Sequence, residues 1–354
     1  MKNGKFGFGV IGCGTISGSH LKAIQACAEA ELVAVCDTDE AKGQKCAAEN
    51  GQVRFYRDCQ EIVKDPAVDV VCICTPSGMH AEGVIAAAKA GKHILCEKPL
   101  DISYERMCRM IEAVDKAKVK MGCVFQGRTY ADTIKVREAI KAGILGRMTL
   151  GDGLMKYYRS RAYYASAGWR GTWALDGGGA LMNQGVHGID LLMWTMNSDV
   201  ERVFARMDHL VRDIEVEDTC VASLQFKNGA LGALVGTTSC NPGEKRRIEL
   251  HGDLGTICIT ESNISRWALT SEPDGLAKDQ EISAPAATSL TAVNDPTKLE
   301  LTSHAFLVND LVQAIKEDRD PYIVGRSARK AVDLILAIYE SARTGRDVSV
   351  KYGD

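Results

Sequence analysis

The chain has no apolar run approaching the roughly 18 residues that a membrane-spanning helix needs, which argues against an integral membrane protein. It has no large excess of either charge. Its 43 basic and 46 acidic residues leave a formal net charge of −3, so no broad cationic surface is offered to nucleic acid or anionic lipid. It has no Cys-x-x-Cys spacing, although it carries 13 cysteines. Scattered through strand-like and helix-like segments, those thiols read as reduced and mostly buried, against a disulfide framework or a zinc site. No internal repeat or low-complexity stretch is present. The opening Met1-Lys2-Asn3-Gly4-Lys5 shows no signal-peptide pattern, and the expected compartment is the cytoplasm. What is there is an ordinary globular composition, 45% apolar and 25% charged, at a length of 354 residues that suggests two domains.

The first third alternates strands with helices. Phe6 to Ile11 reads as a buried strand, and Gly12-Cys13-Gly14-Thr15-Ile16-Ser17 follows it directly into a helix-like segment ending near Ala30. A second strand, Glu31 to Cys36, ends at Asp37. Gly12 and Gly14 let the backbone turn tightly and approach a pyrophosphate, whose charge the helix N-terminus at Thr15 and Ile16 favours. Ser17 stands at the third fingerprint position, with Gly18 after it. A glycine pattern alone is weak evidence; here strand, turn, helix, second strand and acidic residue occur in the order of a dinucleotide site. A carboxylate at Asp37 can bond the ribose hydroxyls and repels a 2′-phosphate, and Thr38 and Asp39 bring no arginine to welcome one. NAD is therefore expected over NADP.

The alternation continues through Val68 to Cys74, which runs into Thr75-Pro76-Ser77-Gly78-Met79-His80 and a helix to Ala90. Lys92 to Cys96 forms the next strand before Glu97-Lys98-Pro99. Asp101 or Ser103 caps a helix to about Lys118, and Val119 to Phe125 closes a parallel, doubly wound sheet. Ligands of such sheets collect at the carboxyl ends of the strands, where Asp37, Thr75, Pro76, His80, Glu97 and Lys98 fall. Gln126, just beyond the last strand, is counted with these cofactor contacts. Pro99 biases the Lys98 backbone toward an extended conformation, and a lysine at the sheet edge can hydrogen-bond a substrate oxygen. A surface lysine in a turn is the plainer reading.

The expected division is a nucleotide-binding domain over residues 1–125 and an α+β substrate-binding and oligomerisation domain over 126–354. In the latter, a helix-like segment from Ala131 to Ala142 precedes strand-like runs at Met148 to Tyr158, Glu201 to Val211, Asp218 to Phe226, Ala230 to Ser239, Arg246 to His251 and Thr256 to Thr260. Asn228-Gly229 marks a hairpin. Consecutive strands imply a large, mostly antiparallel open sheet with helices on one face. Ser271 to Lys298 reads as a polar surface excursion, and helices near Leu299 to Glu317 and Ser327 to Thr344 end the chain. Such a sheet often serves for self-association, although Leu224, Phe226, Leu231, Ala233 and Val235 could as easily pack under helices. A homo-oligomer is expected.

Between Gly179 and Asp190, helical spacing places Asn183, His187 and Asp190 on one face, with Met182, Val186, Ile189 and Met193 as an apolar stripe beside it. A proton-handling group is thus set on a rigid element, though a lone helical histidine is more often structural. No second ligand cluster supports a metal at His187 and Asp190, and none is expected.

The motifs Gly12-Cys13-Gly14-Thr15-Ile16, Cys74-Thr75-Pro76-Ser77-Gly78-Met79-His80, Glu97-Lys98-Pro99 and the Gly177 to Asp190 segment, in this order, resemble the Gfo/Idh/MocA oxidoreductases. The resemblance spans nearly the whole chain. It implies NAD(P) in the N-terminal domain, oxidation or reduction of a sugar or cyclitol hydroxyl, assistance from Lys98, and His187 as general acid or base. Many members carry Asp where this chain has Asn183, and an amide cannot take a proton. Asn183 is therefore expected to hydrogen-bond the substrate, as in members acting at the 3-hydroxyl of glycosides or nucleotide-linked sugars. Arg128, Tyr157, Tyr158, Arg159, Trp169, Arg170 and Trp173 are candidates to line the sugar site. Inositol or free-hexose oxidation, an enzyme that recycles a tightly held NAD(H), and a sugar-sensing regulator without chemistry stay open as alternatives.

Overall fold

The computed structural model describes residues 4–272, 274–282 and 301–353. The chain divides into two compact units, Met1–Phe125 with Thr297–Arg329 and Gly353–Asp354, and Gln126–Pro296 with Lys330–Tyr352.

In the first unit, β1 (Phe6–Ile11), α1 (Ser17–Ala26), β2 (Ala30–Cys36), α2 (Glu40–Glu49), β3 (Arg54–Tyr56), α3 (Cys59–Ile62), β4 (Val70–Ile73), α4 (His80–Lys89), β5 (His93–Cys96), α5 (Tyr104–Ala117) and β6 (Met121–Cys123) alternate along the chain. The six strands form one parallel sheet in the order β3-β2-β1-β4-β5-β6. Every residue of β1 and of β4 is buried, which is why these strands read as unbroken apolar runs instead of alternating ones. Strand order reverses between β1 and β4, the switch point where doubly wound sheets take their ligands. Helix starts are set by side chains: Asp39 accepts from Lys42 N, Asp58 from Gln60 N and Ser103 from Arg106 N. Ser103 is thus the α5 cap, while Asp101, fully buried, accepts from Ala81, Ile102 and Ser103 backbone N–H groups.

The second unit contains α6 (Ala131–Lys141), β7 (Met148–Lys156), α7 (Arg161–Ala165), a π-helical turn (Ala180–Gly185) running into α8 (Val186–Met196), β8 (Val200–Asp208), β9 (Thr219–Phe226), β10 (Leu231–Thr237), β11 (Arg247–Gly252), β12 (Gly255–Thr260), β13 (Asn263–Leu269) and β14 (Lys278–Asp279). Then come α9 (Leu301–Lys316), which belongs to the first unit and packs on α1, α10 (Gly325–Thr344) and β15 (Val348–Ser349). The remainder of the expected polar excursion, and the start of the helix expected from Leu299, lie outside the described residues.

The second sheet has nine strands in the order β14-β13-β12-β11-β7-β10-β9-β8-β15. All its pairs are antiparallel except β7 with β10. The Asn228-Gly229 turn joins β9 to β10, with Gly229 at φ 88°. Along β9, Cys220, Ala222, Leu224 and Phe226 are buried and alternate with exposed Val221, Ser223 and Gln225. Leu224 and Phe226 therefore face the core, where burying each contributes ~1.5–3 kcal/mol. Leu231 and Ala233 face outward and Val235 is half-exposed. Helix α8 packs on the inner face, against β7 and β11. No helix among the described residues is long and apolar enough to cross a membrane.

Candidate active site

The glycine turn after β1 is built for close approach. Gly12 sits at φ 94°, and a Cβ there would fall 2.7 Å from both C and O of Cys74, so only glycine lets the β1 end lie against the β4 end. A Cβ on Gly14 would meet nothing within 4 Å, which leaves that side of the turn bare. Thr15 is exposed and Ile16 precedes the first turn of α1. Asp37 is fixed beside this turn, its Oδ2 accepting from Cys13 N at 2.8 Å and its Oδ1 from Asp39 N at 2.9 Å. A carboxylate has about four acceptor sites, so capacity for ribose hydroxyls is left. At the β4 end, Thr75 Oγ1 is buried with no hydrogen-bond partner, and Pro76 follows in extended conformation. A bare turn, an anchored acceptor and an orphaned hydroxyl fit a dinucleotide.

Two predicted cofactor residues have a different task. His80 is buried with Nδ1 2.8 Å from Pro99 O and Nε2 2.9 Å from Thr75 O. Burial lowers its pKa, against the raising pull of the Thr75 carbonyl, the Asp101 carboxylate and the Pro99 carbonyl. The neutral ring donates from one nitrogen to one of these carbonyls while the other nitrogen abuts the second, so His80 lies between the β4 and β5 loops with neither nitrogen open to a ligand. Glu97 is likewise committed. Its Oε1 lies 2.9 Å from His20 Nε2 and 3.3 Å from His304 Nε2, and its Oε2 accepts from Lys98 N at 3.1 Å. Burial alone raises the Glu97 pKa, but the His20 and His304 bonds overcome it and hold the carboxyl well below the usual range. The three donor atoms lie within 4.8 Å of one another, close enough to consider a metal. Both imidazoles point at one carboxylate oxygen at hydrogen-bond distance, and a dication here would be left with excess buried charge. The trio is a clamp on the peptide from which half-buried Lys98 projects. Burial pushes the Cys72, Cys74 and Cys96 thiols up, so they stay protonated and inert.

In the second unit, every side chain from Ala180 to Met193 is buried except Asn183, Gln184 and His187. Asn183 Nδ2 donates to the buried Asp176 Oδ1 at 2.5 Å, and Asn183 Oδ1 accepts from Gln184 Nε2 at 3.0 Å, which fixes the orientation of its amide. Gln184 Nε2 also donates to Tyr163 OH at 2.7 Å, while Gln184 Oε1 accepts from Arg159 Nη2 at 2.7 Å. Arg170 lies 4.3 Å over the Tyr163 ring and 4.7 Å over the ring of half-buried Trp169. Tyr158 is half-buried, with Arg212 5.2 Å over its ring. Tyr157 is buried, and burial pushes its hydroxyl up to about 12.

Two expected substrate contacts are corrected here. Arg128 is buried and forks onto Asp190, with Nε to Oδ2 at 2.9 Å and Nη2 to Oδ1 at 2.5 Å, so it pins α8 to the turn carrying Gln126–Thr129. Asp190 accordingly leaves the polar face that spacing assigned to it. Trp173 packs edge-on against Tyr339 at 5.3 Å with Arg343 4.6 Å over its ring, a contact with α10. Gln126 is buried at the start of the second unit. Sequence reasoning missed His20, His304, Asp176, Gln184 and Arg212. Only Gln184 had a signal, since it adjoins Asn183.

The family model described as an oxidoreductase family with NAD-binding Rossmann fold matches residues 6–125, and that of the GFO/IDH/MocA C-terminal domain matches residues 133–258. The chain is 32% identical over 277 residues to myo-inositol 2-dehydrogenase of Thermotoga maritima, covering 75% of this chain and 78% of that protein. It is 27% identical over 353 residues to 1,5-anhydro-D-fructose reductase of Ensifer adhaerens, covering 98% and 99%. Among solved structures, the WlbA dehydrogenase of Bordetella pertussis, in complex with NADH and UDP-GlcNAcA, gives a TM-score of 0.85 at 32% identity over 99% of this chain and 100% of that one.

Proposed function

Because the chain belongs to the Gfo/Idh/MocA oxidoreductase family, we propose that His187 and Lys98 carry the proton in its oxidation of a ring CH–OH group. It is an NAD-binding oxidoreductase of that family, whose relatives act on sugars and cyclitols. The observation that carries the reading is the solitary polar face of Asn183, Gln184 and His187 on an otherwise buried helix. His187 removes the hydroxyl proton, and Lys98 donates a hydrogen bond to the same oxygen and shares the proton as the carbonyl forms. Asn183, held by Asp176, orients the sugar. Gly12, Gly14, Thr15, Ile16, Asp37, Thr75 and Pro76 hold the dinucleotide, whose nicotinamide supplies the hydride acceptor when bound. The first unit is thus the cofactor domain, and the second selects the sugar, glycoside, cyclitol or nucleotide sugar.

NAD is the preferred nucleotide: the Asp37 carboxylate, anchored beside the glycine turn, repels a 2′-phosphate and suits ribose hydroxyls. The test is NADH absorbance with a panel of myo-inositol, glucose, a glucoside, UDP-glucose and their acidic counterparts, run with both nucleotides. At least one compound is expected to be oxidised, with kcat/KM for NAD at least about tenfold above that for NADP. Asp37→Ala should erase most of that ratio. No oxidation of any compound would overturn the reading, and a preference for NADP would overturn the cofactor assignment.

The outer face of the second sheet carries exposed Leu150, Phe204, Val221 and Leu231, at 36%, 38%, 51% and 60%. An open sheet face that exposes these apolar side chains suits a second copy of the chain. Light scattering is expected to give a multiple of the monomer mass, and a monomer at micromolar concentration contradicts it. A cytoplasmic location accords with thirteen cysteines of which none is in a disulfide.

A further inference from the structure

Arg212 is 9% exposed, and the described residues give its guanidinium no hydrogen bond and no carboxylate. Its guanidinium lies over the face of Tyr158, 5.2 Å from the ring centroid. The backbone of Arg212 is held firmly, its N–H donating to Asp218 Oδ2 at 2.8 Å. Asp218 also accepts from the backbone N–H groups of Leu210 and Val211 and from Thr219 Oγ1, so its carboxylate is committed to the loop. A buried cation without a partner is among the costliest arrangements a fold can carry, and folds keep one where a ligand completes it.

Arg170, half-buried and with one donor paired, repeats part of the pattern on the neighbouring loop. Its Nη1 donates to Tyr163 OH at 2.5 Å, its plane lies over Tyr163 and Trp169, and its Nε is buried without a partner. Tyr163 OH in turn accepts from Gln184, whose amide bonds Asn183. Tyr158, under Arg212, passes its carbonyl to Arg159 Nη1 at 2.8 Å, and Ser239, bridged to Tyr158 in the sheet, has a buried Oγ without a partner. Asp176, the buried carboxylate of this region, is held by Gly171 N at 2.8 Å and by Asn183. Asp213 and Glu215 on the Arg212 loop are exposed, and Glu215 accepts from Trp173 N.

We propose that Arg212 and Arg170 form an anion-binding subsite, next to the Asn183 and His187 face, that takes a carboxylate or phosphate carried by the sugar substrate. The subsite rests on the functional reading given above and narrows it from sugars in general to acidic ones. A guanidinium with free in-plane donors matches the two oxygens of either group, and its stacking on tyrosine presets its plane. Neutral sugars leave the Arg212 guanidinium and Arg170 Nε unsatisfied and bind less well.

The test compares kcat/KM for glucose, glucuronate, glucose 6-phosphate, UDP-glucose and UDP-glucuronate in the wild type, Arg212→Met and Arg212→Lys. One or more acidic sugars should exceed glucose by at least about tenfold, the value expected of one desolvated charge-assisted contact. Glucuronate separates a carboxylate requirement from the phosphate requirement that glucose 6-phosphate and UDP-glucose report. Arg212→Met should remove most of the preference, and Arg212→Lys should restore part of it. Thermal melting supplies a readout that a structural arginine would not give. Arg212→Met should melt at or above the wild type without ligand, and should lose the stabilisation that the preferred acidic sugar confers on the wild type with NADH. A glucose kcat/KM equal to that of every acidic sugar, or a preference unchanged in Arg212→Met, overturns the proposal. If no sugar is oxidised, the functional reading fails, and calorimetric binding of the same compounds to wild type and Arg212→Met still decides the subsite.

Discussion

Alanine at Lys98 or at His187 is expected to lower kcat by roughly 10²–10⁴-fold while leaving NAD binding measurable. The hydroxyl proton must leave as the carbon-bound hydrogen departs, and without a positioned acceptor only water can take it. Lys98 is suited to the task because its backbone is clamped: its N–H donates to Glu97, which His20 and His304 hold ionised. His187 is suited because it stands on a helix that buries its other faces. Cofactor affinity is read by calorimetry, so loss of turnover is separated from loss of the nucleotide. A variant with near wild-type kcat would remove that residue from the mechanism.

The second large effect concerns stability. Removing one partner of the Arg128–Asp190 pair, as Arg128→Met or Asp190→Asn, is expected to cost about 3–5 kcal/mol, measured by denaturant unfolding. Burial raises the Asp190 pKa even with Arg128 beside it, so the pair gives little net stabilisation; what costs is the charge left alone. The double variant Arg128→Met with Asp190→Leu should therefore recover much of the loss. Single variants within about 1 kcal/mol of wild type would show that the pair is not desolvated as the structure has it.

These contrasts show where sequence reading succeeds. The run from Phe6 to Asp37 was legible because its chemistry is local: a buried strand, a turn that tolerates only glycine at Gly12, and an acid about 20 residues on. Five of the six strands of the parallel sheet, all but β3, and six of the nine strands of the second sheet followed from the same local patterns. Pairings did not. Arg128 was placed on the substrate because its partner Asp190 lies 62 residues away, and Asp190 was placed on the polar face for the same reason. His20 and His304 reach Glu97 across separations of 77 and 207 residues that no spacing rule covers. Strand β13 went unread because only Ile264 and Ala268 are buried in it, too sparse for a period-two pattern. The parallel contact of β7 with β10 has no local signature at all.

The shared role of Lys98 and His187 is most directly tested by a crystal structure of the wild-type protein with NADH and the preferred sugar. The account predicts Lys98 Nζ and an imidazole nitrogen of His187 both within hydrogen-bond reach, about 2.6–3.2 Å, of the one substrate oxygen whose carbon faces the nicotinamide. A complex in which either group contacts a different oxygen, or no substrate atom, would contradict it.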